Sequence, residues 1–366
     1  MYTHNRVTLS VLLALTVCGS LGAATMYFQT NLTSDIPGLA ANTDPNLKNP
    51  WGVSFASTSP FWVSDQVTGK ATLYNASGVP QALIVNIQGA PTGPSGPTGQ
   101  VFNPTSDFKI GSGGAPANFI FSTLSGNIEA WNGAQGTTAA VIPTSGPASY
   151  TGLTMGTRGG ANVLFAANKA TGNIDVFDSS FAPVTLPSGA FADSAVPTGM
   201  TPYNVQIVNG NLYVEYSGPR GSPGGFVAEF DTNGTLIQNI GDSHLNAPWG
   251  IVMAPSGFGD FGGDLLIGNF NDGMINAFNP STGAFHGTLM DSSGHPIADP
   301  GLWALEFRNT SAPNANTGNN PNTLFFVAGI NNETDGLFGT VNIVPEPSTL
   351  TLLALGIGGL GLLRRR

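Results

Sequence analysis

The sequence has almost no cysteine and little charge. Cys18 is its single cysteine and lies in an N-terminal apolar stretch, so the body of the chain has no thiol. This excludes disulfides and a thiol nucleophile in the body, whose stability must come from packing. Only 9% of the residues are charged, while Gly, Asn, Thr, Ser and Pro are abundant. Such a composition is typical of an ordered protein rich in strands and turns.

Several common functional patterns are also missing. Residues 25–343 carry 7 basic and 20 acidic side chains, a net charge of about −13, which opposes binding to nucleic acid or anionic lipid. No G-x-S-x-G motif occurs, and no P-loop lysine follows the glycine-rich segment Gly93–Gly99. Of the four histidines, His244 alone falls near a loop with functional potential. The sequence therefore offers little for nucleophilic catalysis.

The N-terminus has the pattern of a secretory signal peptide. Arg6 precedes the apolar stretch Val7–Val17, and small residues follow as far as Ala24. A basic residue, an apolar segment and small residues at the cleavage site are the three parts of such a signal. We expect cleavage after Ala24 and export by the Sec system. A lipoprotein reading of Cys18 is disfavoured, because Val17 stands where a small residue would be needed.

The C-terminus has a proline break, an apolar run and a basic end. The run Thr349–Leu363 has 15 residues, whereas a span of the hydrocarbon core needs about 20. It resembles the PEP-CTERM sorting tail of exported Gram-negative bacterial proteins. The resemblance implies an exosortase partner, transient anchoring in the inner membrane, and then location in the envelope or outside the cell; the alternative is a permanent anchor. The residues that carry the resemblance are Pro345, Glu346, Pro347, Arg364, Arg365 and Arg366.

A repeat of about 50 residues fills the region between these two signals. Asn49-Pro50-Trp51-Gly52-Val53 recurs as Ala247-Pro248-Trp249-Gly250-Ile251, and each start is followed by an apolar run and a glycine-marked hairpin. Six such units predict an all-β, six-bladed β-propeller over residues 25–343; the alternative, a pair of β-sandwiches, would not keep one period. The starts are anchored by Trp51, Phe102, Thr151, Tyr203, Trp249 and Trp303.

The last unit is one strand short, whereas the strand Met26–Leu32 has no blade of its own. We expect this strand to pair beside Val341–Ile343 as the outer strand of the sixth blade, which would close the ring. With segments such as Asn49-Pro50-Trp51-Gly52 and Gly301-Leu302-Trp303-Ala304-Leu305, the body resembles an uncharacterised family of secreted bacterial propellers. More distantly, its units resemble NHL and YVTN repeats. The resemblance implies fold and export and supplies no activity.

Polar and aromatic residues are predicted to share one face of the propeller, where a small polar ligand such as a sugar could bind. The ligand-binding candidates are Asp65, Asn168, Glu215, Asn269 and Asp272; the competing interpretation makes such residues turn formers or packing residues. The wider face also includes Asn49, Trp51, Lys169, Tyr203, Asn204, Asn246, Trp249, Asn271, Trp303 and Glu333. The catalytic residues, if any, are not identified by the sequence.

Two function classes remain open. The preferred one is a non-catalytic binding or structural protein for exopolysaccharide or envelope components. The alternative is a metal-assisted hydrolase or lyase of the six-bladed lactonase type, kept by fold analogy alone. The oxygen-rich loops Asn269–Gly273 and Asn331–Gly336 leave calcium binding open, although neither matches the D-x-[DN]-x-[DN]-G pattern. No cofactor is assigned.

Overall fold

Six β-sheets form the body of the protein. The computed structural model describes residues 25–88, 95–111, 113–308 and 320–344. The predicted signal peptide (1–24) and the sorting residues Pro345, Glu346, Pro347, Arg364, Arg365 and Arg366 lie outside these described residues. Two short 3₁₀ turns, Gly133–Gln135 and Gly259–Phe261, and a four-residue helical turn, Ile330–Glu333, accompany the strands.

The strands are, in chain order, β1 (Tyr27–Ser34), β2 (Asn42–Thr43), β3 (Pro50–Ser54), β4 (Phe61–Asp65), β5 (Lys70–Tyr74), β6 (Val85–Asn86), β7 (Pro97–Phe102), β8 (Phe119–Thr123), β9 (Ile128–Trp131), β10 (Ala140–Ile142), β11 (Tyr150–Arg158), β12 (Ala161–Asn168), β13 (Asn173–Phe177), β14 (Thr201–Val208), β15 (Asn211–Ser217), β16 (Phe226–Phe230), β17 (Leu236–Ile240), β18 (Pro248–Met253), β19 (Leu265–Asn269), β20 (Ile275–Phe278), β21 (Phe285–Thr288), β22 (Leu302–Phe307), β23 (Leu324–Ala328) and β24 (Leu337–Ile343).

Each sheet is one blade of a six-bladed propeller, as the repeat predicts. Blades 1, 2, 4 and 5 contain β3–β6, β7–β10, β14–β17 and β18–β21, while blade 3 has β11–β13 only. Blade 6 has the order β2-β1-β24-β23-β22. The innermost strand of each blade packs beside the innermost strand of the next, and β22 packs beside β3, which completes the ring.

The N-terminal strand closes the last blade, as predicted. In β1, Tyr27 pairs antiparallel with Ile343 of β24, and Thr30 pairs with Thr340. The first strand of the body and its last strand thus share one sheet, so that the backbone edge of β24 is covered. Tyr27 is fully buried between blades 5 and 6, where its ring lies against Phe258 and Phe261.

One repeat anchor was placed wrongly. Phe102 is the last residue of β7, not a residue near its start, and Thr98 occupies the position that corresponds to Trp51. All six innermost strands have an irregular register near their start, directly after the first residue in five blades and after the second residue, Pro202, in blade 4. This irregularity identifies the equivalent positions. The glycine that follows, Gly52 in blade 1 and Gly99 in blade 2, is a better marker of the repeat than the aromatic residue.

That glycine is required by the close approach of neighbouring blades. A Cβ atom on Gly52 would lie 2.5 Å from the carbonyl oxygen of Thr98, and one on Gly99 would lie 2.2 Å from the amide nitrogen of Leu153. Both contacts are to backbone, which cannot move aside as a flexible side chain can. Gly152, Gly250 and Ala304 occupy the same position in three other blades, and only Asn204 in blade 4 is larger.

Closure by β1 leads to a test with matched substitutions on adjacent residues. Tyr27→Ala should destabilise the protein by about 3 kcal/mol or more, because it leaves a large cavity between blades 5 and 6. The ring of Phe28 is 44% exposed, so Phe28→Ala should change stability by about 0.5 kcal/mol or less. Urea unfolding of the full-length variants measures both effects. Equal stabilities of the two variants would contradict the role of Tyr27 in closure.

Candidate functional site

The five predicted ligand residues are distributed over four blades. Asp65, Asn168 and Asn269 end the second strands of blades 1, 3 and 5, while Glu215 belongs to the second strand of blade 4. Asp272 lies in the turn after Asn269, and its carboxylate accepts a 3.3 Å hydrogen bond from the Asn269 amide. This is the pair that the fold brings together. The remaining three stand apart from it and from one another.

Asn168 and Asn269 perform the same local task in their blades. The Oδ1 of Asn269 accepts a hydrogen bond from the backbone of Asn246 at 3.0 Å, and its Nδ2 donates to the carbonyl of His244 at 2.8 Å. The Oδ1 of Asn168 accepts from Ser149 N at 3.2 Å, and its Nδ2 donates to Pro147 O at 3.2 Å. In both blades a buried amide therefore fixes the loop that enters the innermost strand.

Asp65 and Asp272 differ in their access to solvent. Asp65 is fully buried; one carboxyl oxygen accepts a 2.6 Å hydrogen bond from Thr72, and the other has no partner. Burial raises the pKa of Asp65 well above its usual range. Asp272 is partly exposed and accepts hydrogen bonds from Asn246 at 2.8 Å and from the backbone of Met274 at 3.0 Å.

Glu215 is a buried acid without a partner. Its side chain is fully buried, and neither carboxyl oxygen has a hydrogen-bond partner. It pairs across the sheet with Asn204, whose amide donates to the carbonyl of Trp249 at 2.6 Å. Burial raises the pKa of Glu215 well above its usual range, so that the folded protein keeps this carboxyl protonated where an exposed one would ionise.

The axis of the propeller is closed. The cavity between the innermost strands has a volume of about 20 Å³, which has room for about one water molecule. It is lined by backbone at Gly52, Gly99 and Gly250, where the blades approach most closely, and by side chains such as Gln206 and Glu306. The axis therefore holds no ligand pocket of its own.

An aromatic plug covers this closed axis on the face where the innermost strands begin; it consists of Trp51, Tyr203, Trp249, Phe270 and Trp303. Trp51 and Trp303 stack with their ring centroids 3.6 Å apart, and Phe270 lies 4.4 Å from Trp303. All five are buried. The indole nitrogen of Trp303 donates to Asn49 Oδ1 at 2.9 Å, which ties blade 6 to blade 1. These aromatic side chains therefore pack the centre of the propeller.

Charged side chains meet above the plug, and we call this place the mouth site; it is formed by Lys169, Arg220 and Glu333. Each residue follows the second strand of its blade: blade 3 for Lys169, blade 4 for Arg220 and blade 6 for Glu333. Arg220 forms an ion pair with Glu333 at 3.3 Å. The Lys169 ammonium lies 5.1 Å from the centroid of the Tyr203 ring. A cavity of about 190 Å³, with Phe270 in its wall, opens here.

Desolvation dominates the electrostatics of the mouth site. Burial lowers the pKa of Lys169, although the Glu333 charge opposes that shift. Burial also raises the pKa of Glu333, against the opposing effects of Arg220, Lys169 and a hydrogen bond from Asn49. Both pKa values move toward the neutral forms, so the cost of removing these groups from water exceeds the attraction between them. Such perturbed pairs in a concave site are typical of functional sites.

Glu333 is presented by a strained turn. Asn331, Asn332 and Glu333 have φ angles of 53°, 57° and 68°, so three consecutive residues are left-handed. Asn tolerates this region, whereas a residue such as Glu pays about 1–2 kcal/mol there. Hydrogen bonds from Glu333 N to Gly329 O at 3.1 Å and from Asn331 Nδ2 to Asp335 at 2.9 Å hold the turn.

The sequence analysis predicted that Lys169, Tyr203 and Glu333 share one face, and the structure brings them together, but its ligand-binding candidates were other residues. It missed Arg220, which lies in a loop without a repeat signal. The available indication in the sequence was that basic residues are scarce: Arg220 and Lys169 are two of only 7 in residues 25–343. Among the described residues, no group of three or more His, Cys, Asp or Glu side chains could hold a metal ion.

A larger cavity of about 470 Å³ lies at the outer edge of blade 3, beside β13 and the segment 183–192. It exists because blade 3 has three strands, so that Asn173–Asp175 has no fourth strand beside it. The acid in its wall, Asp175, already accepts hydrogen bonds from Tyr150 at 2.9 Å and Asn168 at 2.8 Å. The mouth site is therefore the better candidate for polar recognition.

The protein is a six-bladed β-propeller with a C-terminal sorting motif. The family model for the PEP-CTERM protein-sorting motif matches residues 344–366, which indicates an exported, envelope-associated protein that an exosortase processes. In the described parts of the chain, the longest helical segments are too short and too polar to cross a bilayer.

Relatives along the body are uncharacterized. One protein of Acanthamoeba polyphaga mimivirus is 28% identical over 342 residues, covering 88% of this chain and 82% of its own. A second is 28% identical over 324 residues, covering 83% and 82%. Among solved structures, a virginiamycin B lyase from Staphylococcus aureus is similar with 11% identity and a TM-score of 0.49, covering 87% of this chain and 100% of that one. A streptogramin B lyase has 13% identity and a TM-score of 0.47, covering 87% and 98%.

The unpaired Glu215 leads to a pH-dependence test. The unfolded chain releases this proton near the ordinary glutamate pKa of about 4.3, whereas the folded protein retains it. Stability should therefore fall as pH rises above about 5, by about 1 kcal/mol per pH unit from this group, until the raised folded-state pKa is passed. Glu215→Met should remove this contribution and be more stable than the parent at pH 8.

Glu229 provides the control, because its carboxylate accepts hydrogen bonds from Asn211 and Gln238, both at 2.6 Å. Glu229→Met should lower stability, since two donors lose their acceptor. Urea unfolding between pH 5 and pH 8 measures both variants. A constant difference between Glu215→Met and the parent across this range would show that Glu215 does not titrate as described.

Proposed function

We propose that this protein is a non-catalytic binding or structural component of the cell envelope or extracellular matrix, and that it binds a saccharide of exopolysaccharide or envelope material at the mouth site. The observation that carries the proposal is a cavity lined by Arg220 and Glu333 above a closed axis, with Lys169 close enough to Glu333 for their charges to interact. Polar groups at this opening above a packed ring are placed to contact a ligand from solvent.

The size and chemistry of the mouth site fit one unit of a polar polymer. Its volume of about 190 Å³ lies below the about 300 Å³ at which pockets begin to enclose a drug-sized molecule. The amide group of Asn332 and the amide oxygen of Asn271 add hydrogen-bonding capacity beside the charges, whereas the amide nitrogen of Asn271 already donates to Ser222 and Asn246. A single sugar residue of a longer chain would occupy such a cavity, while the rest of the polymer would lie across the face of the propeller.

Two exposed prolines give a matched test of this location. Pro300 lines the mouth site and Pro187 lines the outer groove of blade 3. On a glycan array, the full-length protein and its Pro187→Trp variant should bind the same saccharides, whereas Pro300→Trp should lose binding because the indole fills the mouth. Loss with Pro187→Trp alone would move the site to the outer groove. Failure of the parent protein to bind any saccharide would contradict the proposed function.

The proposal also includes the path by which the protein is exported and processed. The protein is exported through the Sec system, held in the inner membrane by Thr349–Leu363 for a time, and cleaved near Pro345-Glu346-Pro347. Support comes from the sorting-motif match and from the apolar run of 15 residues that ends in three arginines. Mass spectrometry of the protein recovered from a host that has an exosortase should find a C-terminus near residue 345 and an N-terminus at Thr25. A C-terminus at Arg366 in that host would contradict this route.

A further inference from the structure

We propose that the saccharide bound at the mouth site is acidic, that its carboxylate binds between Lys169 and Arg220, and that the Glu333 carboxylate pairs with Arg220 when the ligand is absent. This inference rests on the proposed function, because it assumes a saccharide at the mouth site. It adds the charge of the ligand and a role for Glu333 as an internal competitor.

The first argument is that positive charge is concentrated where the rest of the protein is negative. Residues 25–343 have 20 acidic and 7 basic side chains, yet at the mouth site two basic residues face one acid. An anionic ligand is repelled by most of this surface and attracted at the mouth site. Charge complementarity of this kind selects a ligand more than it strengthens its binding.

The second argument is that Lys169 has unused hydrogen-bonding capacity. Within the part of the chain that the structure describes, the contact of its ammonium group is with the ring of Tyr203, 5.1 Å away, and no acceptor oxygen bonds to it. Lys169 is partly buried, and its ammonium group carries three donors that no protein acceptor among the described residues takes up. A carboxylate entering the cavity would supply the missing acceptor.

The third argument concerns Glu333, which is held by weak bonds on a strained turn. Its contacts with Arg220 at 3.3 Å and with the Asn49 amide at 3.4 Å are long for charge-assisted hydrogen bonds. The left-handed backbone from Asn331 to Glu333 opposes this position as well. A ligand carboxylate that pairs with Lys169 and Arg220 would therefore release Glu333 at small cost.

Calorimetry on the full-length protein tests the inference with two oligosaccharides of equal length and linkage, one of glucuronate and one of glucose. The glucuronate oligomer should bind more tightly than the glucose oligomer. Lys169→Met and Arg220→Met should each weaken glucuronate binding by about tenfold, the value of one charge-assisted hydrogen bond. Lys109→Met, which removes an exposed lysine from blade 2, should leave it unchanged within about twofold.

The variant Glu333→Gln separates competition from direct contact. Loss of the internal carboxylate should strengthen glucuronate binding severalfold, and should raise the ratio of glucuronate affinity to glucose affinity by the same factor. Weaker glucuronate binding in this variant would show that Glu333 contacts the sugar and would overturn the competitor role. Because Glu333→Gln keeps the side-chain shape and the hydrogen bond with Asn49, it also serves if a methionine variant fails to fold.

The remaining outcomes distinguish this inference from the proposed function. Equal binding of both oligomers, insensitive to Lys169→Met, would leave the proposed function standing and overturn the inference. Binding of neither oligomer would overturn both. A further titration uses inorganic phosphate. If phosphate binds in a manner that depends on Lys169 while glucuronate does not bind, the mouth site is an anion site that does not recognise acidic sugars, and the inference is overturned.

Discussion

The close approach of the six innermost strands is the constraint on which the rest of the structure depends. At the narrowest level the strands are so near that a single added carbon on Gly99 or Gly250 would meet backbone of the next blade at 2.2 Å or 2.3 Å. Five blades therefore have glycine or alanine at this level, whereas blade 4 has Asn204, whose amide donates a hydrogen bond to the carbonyl of Trp249. The same packing fills the axis, so no ligand can enter it, and polar chemistry is displaced to the mouth above the aromatic plug.

Closure of the ring supports this packing from outside. Pairing of β1 with β24 joins the two ends of the body in one blade, and Asn49 joins blade 1 to blade 6 near the axis through Trp303 and Glu333. Because all six blades press on one another, loosening this junction would relax every interface between blades. The mouth site lies directly beside this junction, so its geometry is tied to the closure of the ring.

Function is best sought where individual blades depart from the shared pattern. Asn204 replaces the usual small residue of the innermost strand, and its cross-strand neighbour Glu215 is a buried acid where other blades have small or apolar residues. Lys169, Arg220 and Glu333 likewise belong to turns that differ from blade to blade. Asn168 and Asn269, by contrast, have the same structural role, since each amide fixes the loop that enters the innermost strand of its blade. Because this role recurs in the repeat, the sequence analysis interpreted these residues as ligand-binding residues.

The sequence by itself determined the elements whose signal is local. Alternating apolar residues, glycine-marked hairpins and the recurrence of Pro50-Trp51-Gly52 as Pro248-Trp249-Gly250 follow from strand geometry and turn chemistry, so they predicted six blades and the closing strand. The C-terminal sorting tail could likewise be recognised from the sequence, because its prolines, its apolar run and its terminal arginines are local features that need no tertiary structure.

Tertiary structure alone decided which side chains meet. Lys169, Arg220 and Glu333 are separated by 51 and 113 positions in the numbering and come together because the turns of blades 3, 4 and 6 converge on one axis. Likewise, the sequence could not show that Asp65 and Glu215 are buried, because burial depends on how neighbouring blades pack against the second strand. Convergence and burial are properties of the closed ring, and no segment of the chain carries them alone.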